Sequence, residues 1–531
     1  MPVVAVPEDN IFARIERSGR LMEAASHGDN PEPLILKAGV VVVGTGAGGS
    51  VVGKELAEAG CDVLMVEAGR FWRPHTDFNQ REETMNPALL YNLGARPTRD
   101  FSLLITHGKG VGGSTVHNIC LSVEPPKAII ERWQREFGFP WSREEIQPYV
   151  DRVKLHLGIN PVHSGQLNAN NLTLKRGADA LGWRGFVPHH NRLGCLECGF
   201  CEVGCAFNRK QSALVTYIPQ AMWAGARLLA DTRIDRILHD GTRVLGVEGV
   251  MLHEGRVLRP VRIEARTVVA SGGAILTPAL LRRSKVPDEH KLIGRTFRTH
   301  PAVPVGAFFD ATIDGWKGIP QTYMVDQFTD FEKDGYGGFM IFPVFGHPGQ
   351  TGSMVPGLGA EYMERMGRYR NLVAVAPMIH DETMGEVDAA DDGEAVVDYR
   401  LELRDSQELV RGVQASVELL LAAGAKEVFV PYLDRPLIAR SKADLAEIAR
   451  RGIPTNGIAL NAVHPMGSVR WANDPRKGPV RFSGEVRGMQ NLFVADASLF
   501  PTSIGTAPTV SIMTMATLVA SYMIGERSRL E

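Results

Sequence analysis

The sequence predicts an α/β fold in which a nucleotide-binding unit is combined with a second, mixed α+β domain. The first observation is Val40-Val41-Val42-Val43, a β-branched run typical of buried parallel strands. A glycine-rich turn follows, then helix-forming residues 51–59, then a second apolar run, Val63-Leu64-Met65-Val66. The order strand, turn, helix, strand is that of a Rossmann-like unit.

Length and charge narrow the class of protein. A chain of 531 residues can bury a large core and suggests two to four structural units. Lysine and arginine (58) nearly balance aspartate and glutamate (60), which predicts a small-molecule partner and no nucleic acid. Residues 1–35 are predicted to be largely helical, with residues 8–25 weakly amphipathic. No transmembrane segment or basic, apolar leader is predicted, so we expect a cytoplasmic protein.

The glycine-rich turn has the spacing of a phosphate-binding loop. Gly44, Gly46 and Gly49 form G-x-G-x-x-G between the first strand and the helix. In such loops the glycines permit the turn, the approach of a pyrophosphate and close helix packing, while the helix N-terminus faces the phosphate charge. Glu67 ends the next strand, where an acidic residue is expected to bind ribose hydroxyls. The pattern predicts a dinucleotide but does not choose between FAD and NAD.

A second glycine-rich element lies further along the chain, at residues 108–115. Its backbone, including Gly112 and Gly113, offers amides that can approach a phosphate or a flavin ring closely. A nicotinamide enzyme does not need a second loop of this kind. The two loops together favour FAD, and the chain is interpreted as an FAD oxidoreductase.

Further strand signals at residues 266–270 and 491–495 each run into a small-residue turn and a helical pattern. The FAD-binding domain is therefore predicted to be discontinuous, and residues 298–309 and 335–344 are predicted strands of the substrate domain. The predicted boundaries are 36–125 (FAD-binding, first part), 126–224 (cap with a cysteine cluster), 225–300 (FAD-binding, second part), 301–480 (substrate binding) and 481–531 (FAD-binding, third part).

Four of the six cysteines, Cys195, Cys198, Cys201 and Cys205, fall within eleven residues. This spacing is used for iron-sulfur ligation, and a four-iron cluster, a three-iron cluster and a tetrahedral zinc site are all chemically admissible. Zinc sites normally separate two short cysteine pairs by a longer loop, which is missing here. The spacing therefore favours iron-sulfur over zinc or paired disulfides. Cys61 and Cys120 are predicted to be small buried hydrophobes.

Several separate segments, in a fixed order along most of the chain, resemble the glucose-methanol-choline (GMC) family of FAD oxidoreductases. Residues 198–205, 210–212 and 217–219 are most similar to its long-chain alcohol oxidase branch. The segments that carry the family resemblance are residues 43–50, 108–118, 268–274, 293–295, 463–468 and 494–498.

The resemblance implies roles for individual residues. It places Asn118 beside the flavin, Asp496 with Ala497 near the ribityl and diphosphate part of FAD, and His464 at the catalytic centre. The family commonly has Asn-Pro where this chain has Ala507-Pro508. One of the two usual contacts to the substrate hydroxyl is therefore missing, and Asn456 and Asn461 are candidates to replace it.

Alcohol oxidation by a flavin needs a base that removes the hydroxyl proton while the hydride moves to the cofactor. Histidine suits this role because its ordinary pKa is near neutrality. We therefore expect His464 to be the base, and His117 and His300 to be structural.

The expected substrate is an apolar or aromatic alcohol, because residues 338–378 are rich in phenylalanine and methionine. Some sugar dehydrogenases of the family pass flavin electrons to an iron-sulfur cluster, so the resemblance implies an external electron acceptor. The alternatives are a flavin and metal enzyme that reduces or rearranges its substrate, a non-catalytic electron carrier, and a dioxygen-using alcohol oxidase with a structural metal site.

Overall fold

The computed structural model describes residues 9–26, 30–390 and 393–530. Within the predicted N-terminal helix, the described residues form a helix at Asp9–Arg17 and a short strand at Leu21–Met22. Glu8 and the residues before it lie outside the described part, as do residues 27–29. The helix therefore ends earlier than the sequence pattern predicts.

The larger sheet has eight strands and confirms the predicted nucleotide-binding unit. Leu34–Val43 and Val63–Val66 pair in parallel, with Val40 opposite Val63, and the helix Ala47–Glu58 connects them. All four side chains of Val63–Val66 are buried, as expected for a central parallel strand. In sheet order the strands are Leu21–Met22, Arg227–Leu229, Val63–Val66, Leu34–Val43, Arg256–Ala270, Val244–His253 and Thr232–His239, with Leu492–Val494 also paired to Arg256–Ala270.

The 15-residue strand Arg256–Ala270 joins distant parts of the chain into this sheet. One side pairs in parallel with Leu34–Val43. The other pairs first with Val244–His253 and then, in parallel from Val268, with Leu492–Val494. Because strands from three separated stretches share one sheet, the predicted discontinuous α/β fold is confirmed.

A second sheet has seven strands, and all its neighbouring pairs run antiparallel. The helices Ala169–Leu181 and Leu403–Ala422 pack against it. This sheet and its helices form a mixed α+β domain, as predicted. Gly185–Phe186, which belongs to the predicted cap, contributes an edge strand. In sheet order the strands are Leu437–Ala439, Val428–Val430, Val305–Phe308, Leu372–Ile379, Phe339–Pro343, Met324–Val325 and Gly185–Phe186.

Two strands of this sheet are shorter than the sequence pattern predicts. The predicted strand 298–309 is reduced to Val305–Phe308, because Pro301 and Pro304 have no N–H to donate to a ladder. The predicted strand 335–344 begins only at Phe339, since Gly335, Gly337 and Gly338 all have positive φ.

Three small sheets and the helices complete the described elements. The small sheets are Arg96–Pro97 with Leu104–Ile105 and Asn461–Ala462, Leu121–Ser122 with His189–His190 and Asn160–Pro161, and Glu386–Ala389 with Ala395–Asp398. The remaining α-helices are Pro74–Asp77, Glu82–Leu89, Lys127–Phe137, Gln147–His156, Tyr217–Trp223, Gly273–Arg283, Phe331–Asp334, Pro348–Gly352, Gly359–Gly367, Leu445–Arg451, Thr509–Gly525 and Arg527–Leu530. In the described part of the chain, no helix combines the length and apolar character needed to cross a membrane.

Candidate active site

The first glycine loop is shaped by close backbone packing. Gly44 has a φ of +98°, and a Cβ built on it would lie 2.3 Å from the carbonyl oxygen of Ser271. At Gly49 an added Cβ would lie 2.0 Å from the Gly44 oxygen. A Cβ on Gly46 would meet only the Cα of Gly113, at 3.9 Å. Gly46 therefore borders open space, and it caps the helix Ala47–Glu58 without any side-chain hydrogen bond to the helix N-terminus.

The second glycine loop lies directly against the first. A Cβ on Gly113 would come within 2.8 Å of the Gly46 Cα, and the Gly112 N–H donates to Thr45 Oγ1 at 3.4 Å. The two loops, in which Thr45 and Gly112 are 67 positions apart in the sequence, thus form adjoining walls of one space. This is an arrangement that can hold a phosphate or a flavin ring at backbone distance.

Glu67 links the two loops. One carboxylate oxygen accepts from the N–H and hydroxyl of Thr45, at 3.1 and 2.8 Å, and the other from the N–H groups of Gly69 and Gly110, at 3.0 and 3.3 Å. Burial raises the pKa of Glu67, and these hydrogen bonds oppose the shift. Glu67 lines the same space, as a ribose contact must, but both of its oxygens already hold the protein backbone.

These loops open into a cavity of about 1270 Å³, called here the main cavity. Its volume exceeds the usual range of about 300–1000 Å³ for a single small ligand and suits a cofactor with a substrate. The predicted site residues Gly49 and Gly112 do not line this cavity. The predicted residues that line it are Gly44, Gly46, Glu67, Gly113, Asn118, His464, Asp496 and Ala497.

Asp496 organises the wall beside the first loop, where a Cβ on Gly48 would lie 3.0 Å from the Asp496 Cα. Its carboxylate accepts from the Gly273 N–H (2.8 Å), the Thr277 hydroxyl (2.6 Å) and both the N–H and hydroxyl of Ser498. Burial raises the pKa of Asp496, and these donors counteract the shift. The residue thereby holds the N-terminus of the helix Gly273–Arg283 at the cavity.

His464 is paired with a second histidine. Its Nδ1 lies 3.1 Å from Nδ1 of His300, and both residues line the main cavity. The Gly505 N–H donates to His300 Nε2 at 2.8 Å, so neutral His300 carries its proton on Nδ1 and donates it to His464. Neutral His464 then carries its own proton on Nε2. Burial lowers the pKa of His464 to about 4, and burial together with His464 holds the pKa of His300 well below its usual range.

Asp381 holds His300 in place. His300 has a φ of +52°, a conformation that non-glycine residues rarely adopt. The fully buried Asp381 accepts from the N–H groups of Thr299 and His300 and from the hydroxyls of Tyr399 and Ser503, at 2.7–3.1 Å. The prediction that His300 is structural is therefore incomplete. The hydrogen bonds that hold His300 also bring its ring within hydrogen-bond distance of His464.

Ala507 lines the main cavity as a buried residue, so no side chain at this position can bind a hydroxyl. Of the two candidates to replace it, Asn461 lines the cavity. Asn456 instead donates to the backbone oxygen of Asp100 in an exposed region. Asn461 alone of this pair is placed to contact a substrate.

An apolar wall completes the main cavity. Of the residues predicted to form it, Phe342, Phe345, Met354 and Met378 do so. Phe339 and Met340 are instead buried in the core, and the Met363 side chain is exposed on the helix Gly359–Gly367. Roughly half of the predicted apolar set therefore faces the space where a substrate can bind.

The four clustered cysteines line a separate, small cavity of about 20 Å³. Cys120 is buried as predicted but joins them there, where it forms a hydrogen bond with Cys201. This bond lowers the pKa of the Cys201 thiol, and burial raises that of Cys120. None of these five cysteines is in a disulfide.

The fit of an iron-sulfur cluster to this cavity is incomplete. Five thiols line it together with the buried guanidinium of Arg192, which forms a hydrogen bond with Cys195. A buried guanidinium suits an anionic group. Yet among residues 9–26, 30–390 and 393–530 no three or more histidine, cysteine, aspartate or glutamate side chains are arranged to hold a metal ion. The predicted iron-sulfur cluster is therefore not supported by the arrangement of these side chains.

One large cavity is lined by paired glycine loops and a pair of histidines. This site defines an oxidoreductase that uses a nucleotide cofactor. Comparison with protein families agrees: the N-terminal model of the GMC oxidoreductase family matches residues 39–302, and the C-terminal model matches residues 383–516. The chain belongs to the GMC oxidoreductase family, and FAD is the cofactor that this family and its solved structures support.

Among proteins of similar sequence is an uncharacterized GMC-type oxidoreductase of Mycobacterium tuberculosis, 34% identical over 503 residues, covering 93% of this chain and 77% of that protein. Long-chain-alcohol oxidase FAO3 of Arabidopsis thaliana is 26% identical over 515 residues, covering 92% and 68%. This relative is consistent with the predicted branch of the family.

Solved structures confirm the fold. A variant of formate oxidase from Aspergillus oryzae, studied for FAD modification, superposes with a TM-score of 0.68 at 16% identity and covers 93% of this chain and 99% of that one. Pyridoxine 4-oxidase from Mesorbium loti gives a TM-score of 0.64 at 16% identity, covering 91% and 98%.

Proposed function

We propose that this protein oxidises the CH–OH group of a small-molecule alcohol by hydride transfer to FAD. The observation that carries the proposal is that two facing glycine loops and His464 line a single cavity large enough for both cofactor and substrate. Bound FAD supplies the hydride acceptor. The protein's part is to bind both molecules, to orient the reacting carbon and to handle the hydroxyl proton.

FAD is proposed to bind against the residues that line the walls of the main cavity. Gly44, Gly46 and Gly113 leave backbone within reach of a pyrophosphate, and Asp496 holds a second helix N-terminus at the same space. Asn118 lies on the loop that the resemblance places beside the flavin. Gly49, Gly112 and Glu67 act by packing and by fixing these loops, and Ala497 lines the cavity beside Asp496.

His464 is proposed to take the hydroxyl proton. Its low pKa keeps it neutral at pH 7, as a base must be. The bond from His300, however, places the resting proton on Nε2, so acceptance at that nitrogen requires the other tautomer. Two variants separate the roles: His464→Gln keeps a hydrogen-bond donor but is no base, whereas His464→Ala keeps neither. Equal loss of activity in both supports the base, and activity retained only in His464→Gln supports a donor.

The proposed substrate body is apolar or aromatic. Phe342, Phe345, Met354 and Met378 on the cavity wall support this, as does the similarity to the plant long-chain-alcohol oxidase. Anaerobic reduction of the bound flavin by a series of alcohols of increasing chain length tests it. Rates that do not rise with chain length would exclude the apolar body.

The electron acceptor is proposed to be external. One proposed route for electrons from the flavin to that acceptor is an iron-sulfur cluster held by Cys195, Cys198, Cys201 and Cys205. The shared cysteine cavity and the buried guanidinium of Arg192 beside the thiols favour an anionic group there. Iron and acid-labile sulfide analysis of the purified holoenzyme tests the cluster. Protein free of iron, or with stoichiometric zinc, would refute it and favour direct reaction of the reduced flavin with dioxygen.

A further inference from the structure

The two histidines of the main cavity lie on one two-stranded ribbon, made of residues 298–302 and 461–466. His300 and His464 are on its facing strands, and their Nδ1 atoms are 3.1 Å apart. Two antiparallel residue pairs hold the ribbon by exchanging backbone hydrogen bonds of 2.8–3.0 Å: Arg298 with Met466, and Ala302 with Asn461. Asn461 is therefore fixed on the same small element as the candidate base.

The register of the ribbon decides which side chain lies beside Ala302. Between the two pairs one strand advances four residues, from 298 to 302, and the other five, from 466 to 461. This extra residue, as in a β-bulge, brings Asn461 opposite Ala302, where regular pairing would bring Ala462. Directly opposite residues of an antiparallel pair share a face. Ala302 and Asn461 both line the main cavity, as the two histidines do.

The side-chain amide of Asn461 is available to a ligand. It is partly exposed, and within residues 9–26, 30–390 and 393–530 it forms no hydrogen bond. Asn118, another amide of this cavity, instead accepts from the Cys120 N–H at 3.3 Å. An amide carries two N–H donors and one acceptor oxygen. Because His464 is three residues further along the chain, the Cα atoms of Asn461 and His464 are at most about 11 Å apart, and one small molecule can contact both side chains.

We propose that Asn461 holds the reacting oxygen of the alcohol by donating a hydrogen bond from its amide N–H. Ala507, on the same cavity, cannot form such a bond because its side chain is a methyl group. With the oxygen held by Asn461, the hydroxyl proton is directed to His464, which takes it while the carbon-bound hydride leaves for the bound flavin. Asn461 itself gains and loses no atom. This inference rests on the proposed function, because it names a further residue of that same site.

The contact should be stronger in the transition state than in the bound alcohol. The oxygen gains negative charge as its proton moves to His464, and hydrogen bonds to a charged acceptor are roughly twice as strong as those to a neutral one. An N–H donor aimed at this oxygen therefore raises the rate of the reaction more than the affinity for the alcohol. A residue with a purely structural role would not produce this difference.

Anaerobic stopped-flow reduction of the flavin by octanol, with the holoenzyme, tests this role. Asn461→Leu keeps the size of the side chain and removes its donors. The limiting rate of flavin reduction should fall about a hundred-fold, as for the loss of one donor to an oxyanion, while the octanol concentration that gives half of that rate changes little. Asn86→Leu is the matched control, because Asn86 lines the same cavity from the helix Glu82–Leu89, and it should leave both values nearly unchanged. Equal limiting rates in wild type and Asn461→Leu would overturn the inference.

Octanoate separates this inference from the proposed function, because its binding needs no turnover. Its carboxylate places a negative oxygen where the alcohol oxygen would lie, and the flavin absorbance of the holoenzyme reports its affinity. Asn461→Leu should bind octanoate about ten-fold more weakly than the wild type. Asn461→Asp, which keeps the shape but replaces the donors with a negative charge, should bind it more weakly still.

The two experiments can fail independently. If no alcohol reduces the wild-type flavin, the proposed function fails, while this order of octanoate affinities still supports Asn461 as the donor. Equal affinities in the three proteins, or no octanoate binding to the wild type, overturn the inference. Should Asn461→Leu lose its FAD, Asn461→Asp provides the same comparison of flavin reduction.

Discussion

Nδ1 of His300 and Nδ1 of His464 lie 3.1 Å apart, and the proton between them belongs to His300 because the Gly505 N–H occupies its other nitrogen. One chain of hydrogen bonds thus runs from the Gly505 N–H through the ring of His300 to the ring of His464. The alanine side chain of Ala507, which lines the same cavity, cannot form a hydrogen bond with His464, whereas His300 does.

Replacing Asp381 should disturb this pair. Asp381→Ala leaves two N–H groups and two hydroxyls in a buried site without their acceptor, and releases the strained backbone of His300. We expect the free energy of unfolding to fall by about 3 kcal/mol or more, and flavin reduction to slow. Denaturant unfolding of the holoenzyme measures the first effect. Asp310→Ala, which removes an exposed ion pair with Lys426, is the control and should leave the free energy of unfolding nearly unchanged.

The pH dependence of flavin reduction should reflect the lowered pKa of the buried His464. Because burial lowers its pKa to about 4, the neutral form persists as the pH falls from about 8 to about 5, and protonation removes it only near pH 4. The unfolded chain, with a histidine pKa of about 6.5, binds this proton first, so His464 also makes the folded state less stable as the pH falls from about 6.5 to 4. Anaerobic reduction rates across this range check the first expectation. A loss of wild-type activity centred near pH 6.5 would contradict it.

Gly46 should be essential for cofactor retention. Its Cα faces Gly113 across the space between the loops, and a leucine side chain would project into the region where backbone approaches the pyrophosphate. Gly46→Leu is expected to purify without FAD, as measured by the ratio of flavin to protein absorbance. Gly165→Leu is the control, because nothing lies within 4 Å of a Cβ there and its φ is not positive. Full flavin occupancy in Gly46→Leu would exclude this loop as the site.

The strands and helices could be predicted well because each depends mainly on residues that are neighbours in the sequence. The strand Val63–Val66 is predicted to within one residue of its end, since its apolar run is bounded by polar and turn-forming positions. The pairing of His300 with His464 could not be predicted in the same way. The two are 164 residues apart, and their contact depends on a positive φ that only Asp381 and its donors make tolerable. Cys120 was likewise interpreted as a lone hydrophobe, because its contact with Cys201 arises only in the folded chain.

The measurement that tests the central claim most directly is anaerobic reduction of the bound flavin by a long-chain primary alcohol, followed by absorbance in wild type and His464→Ala. Both proteins should hold FAD, because His464 contributes no contact to the glycine loops. The account predicts that the wild-type flavin is reduced and that His464→Ala reduces it at least about a hundred-fold more slowly. Equal rates in the two proteins would contradict the account and remove His464 from the reaction.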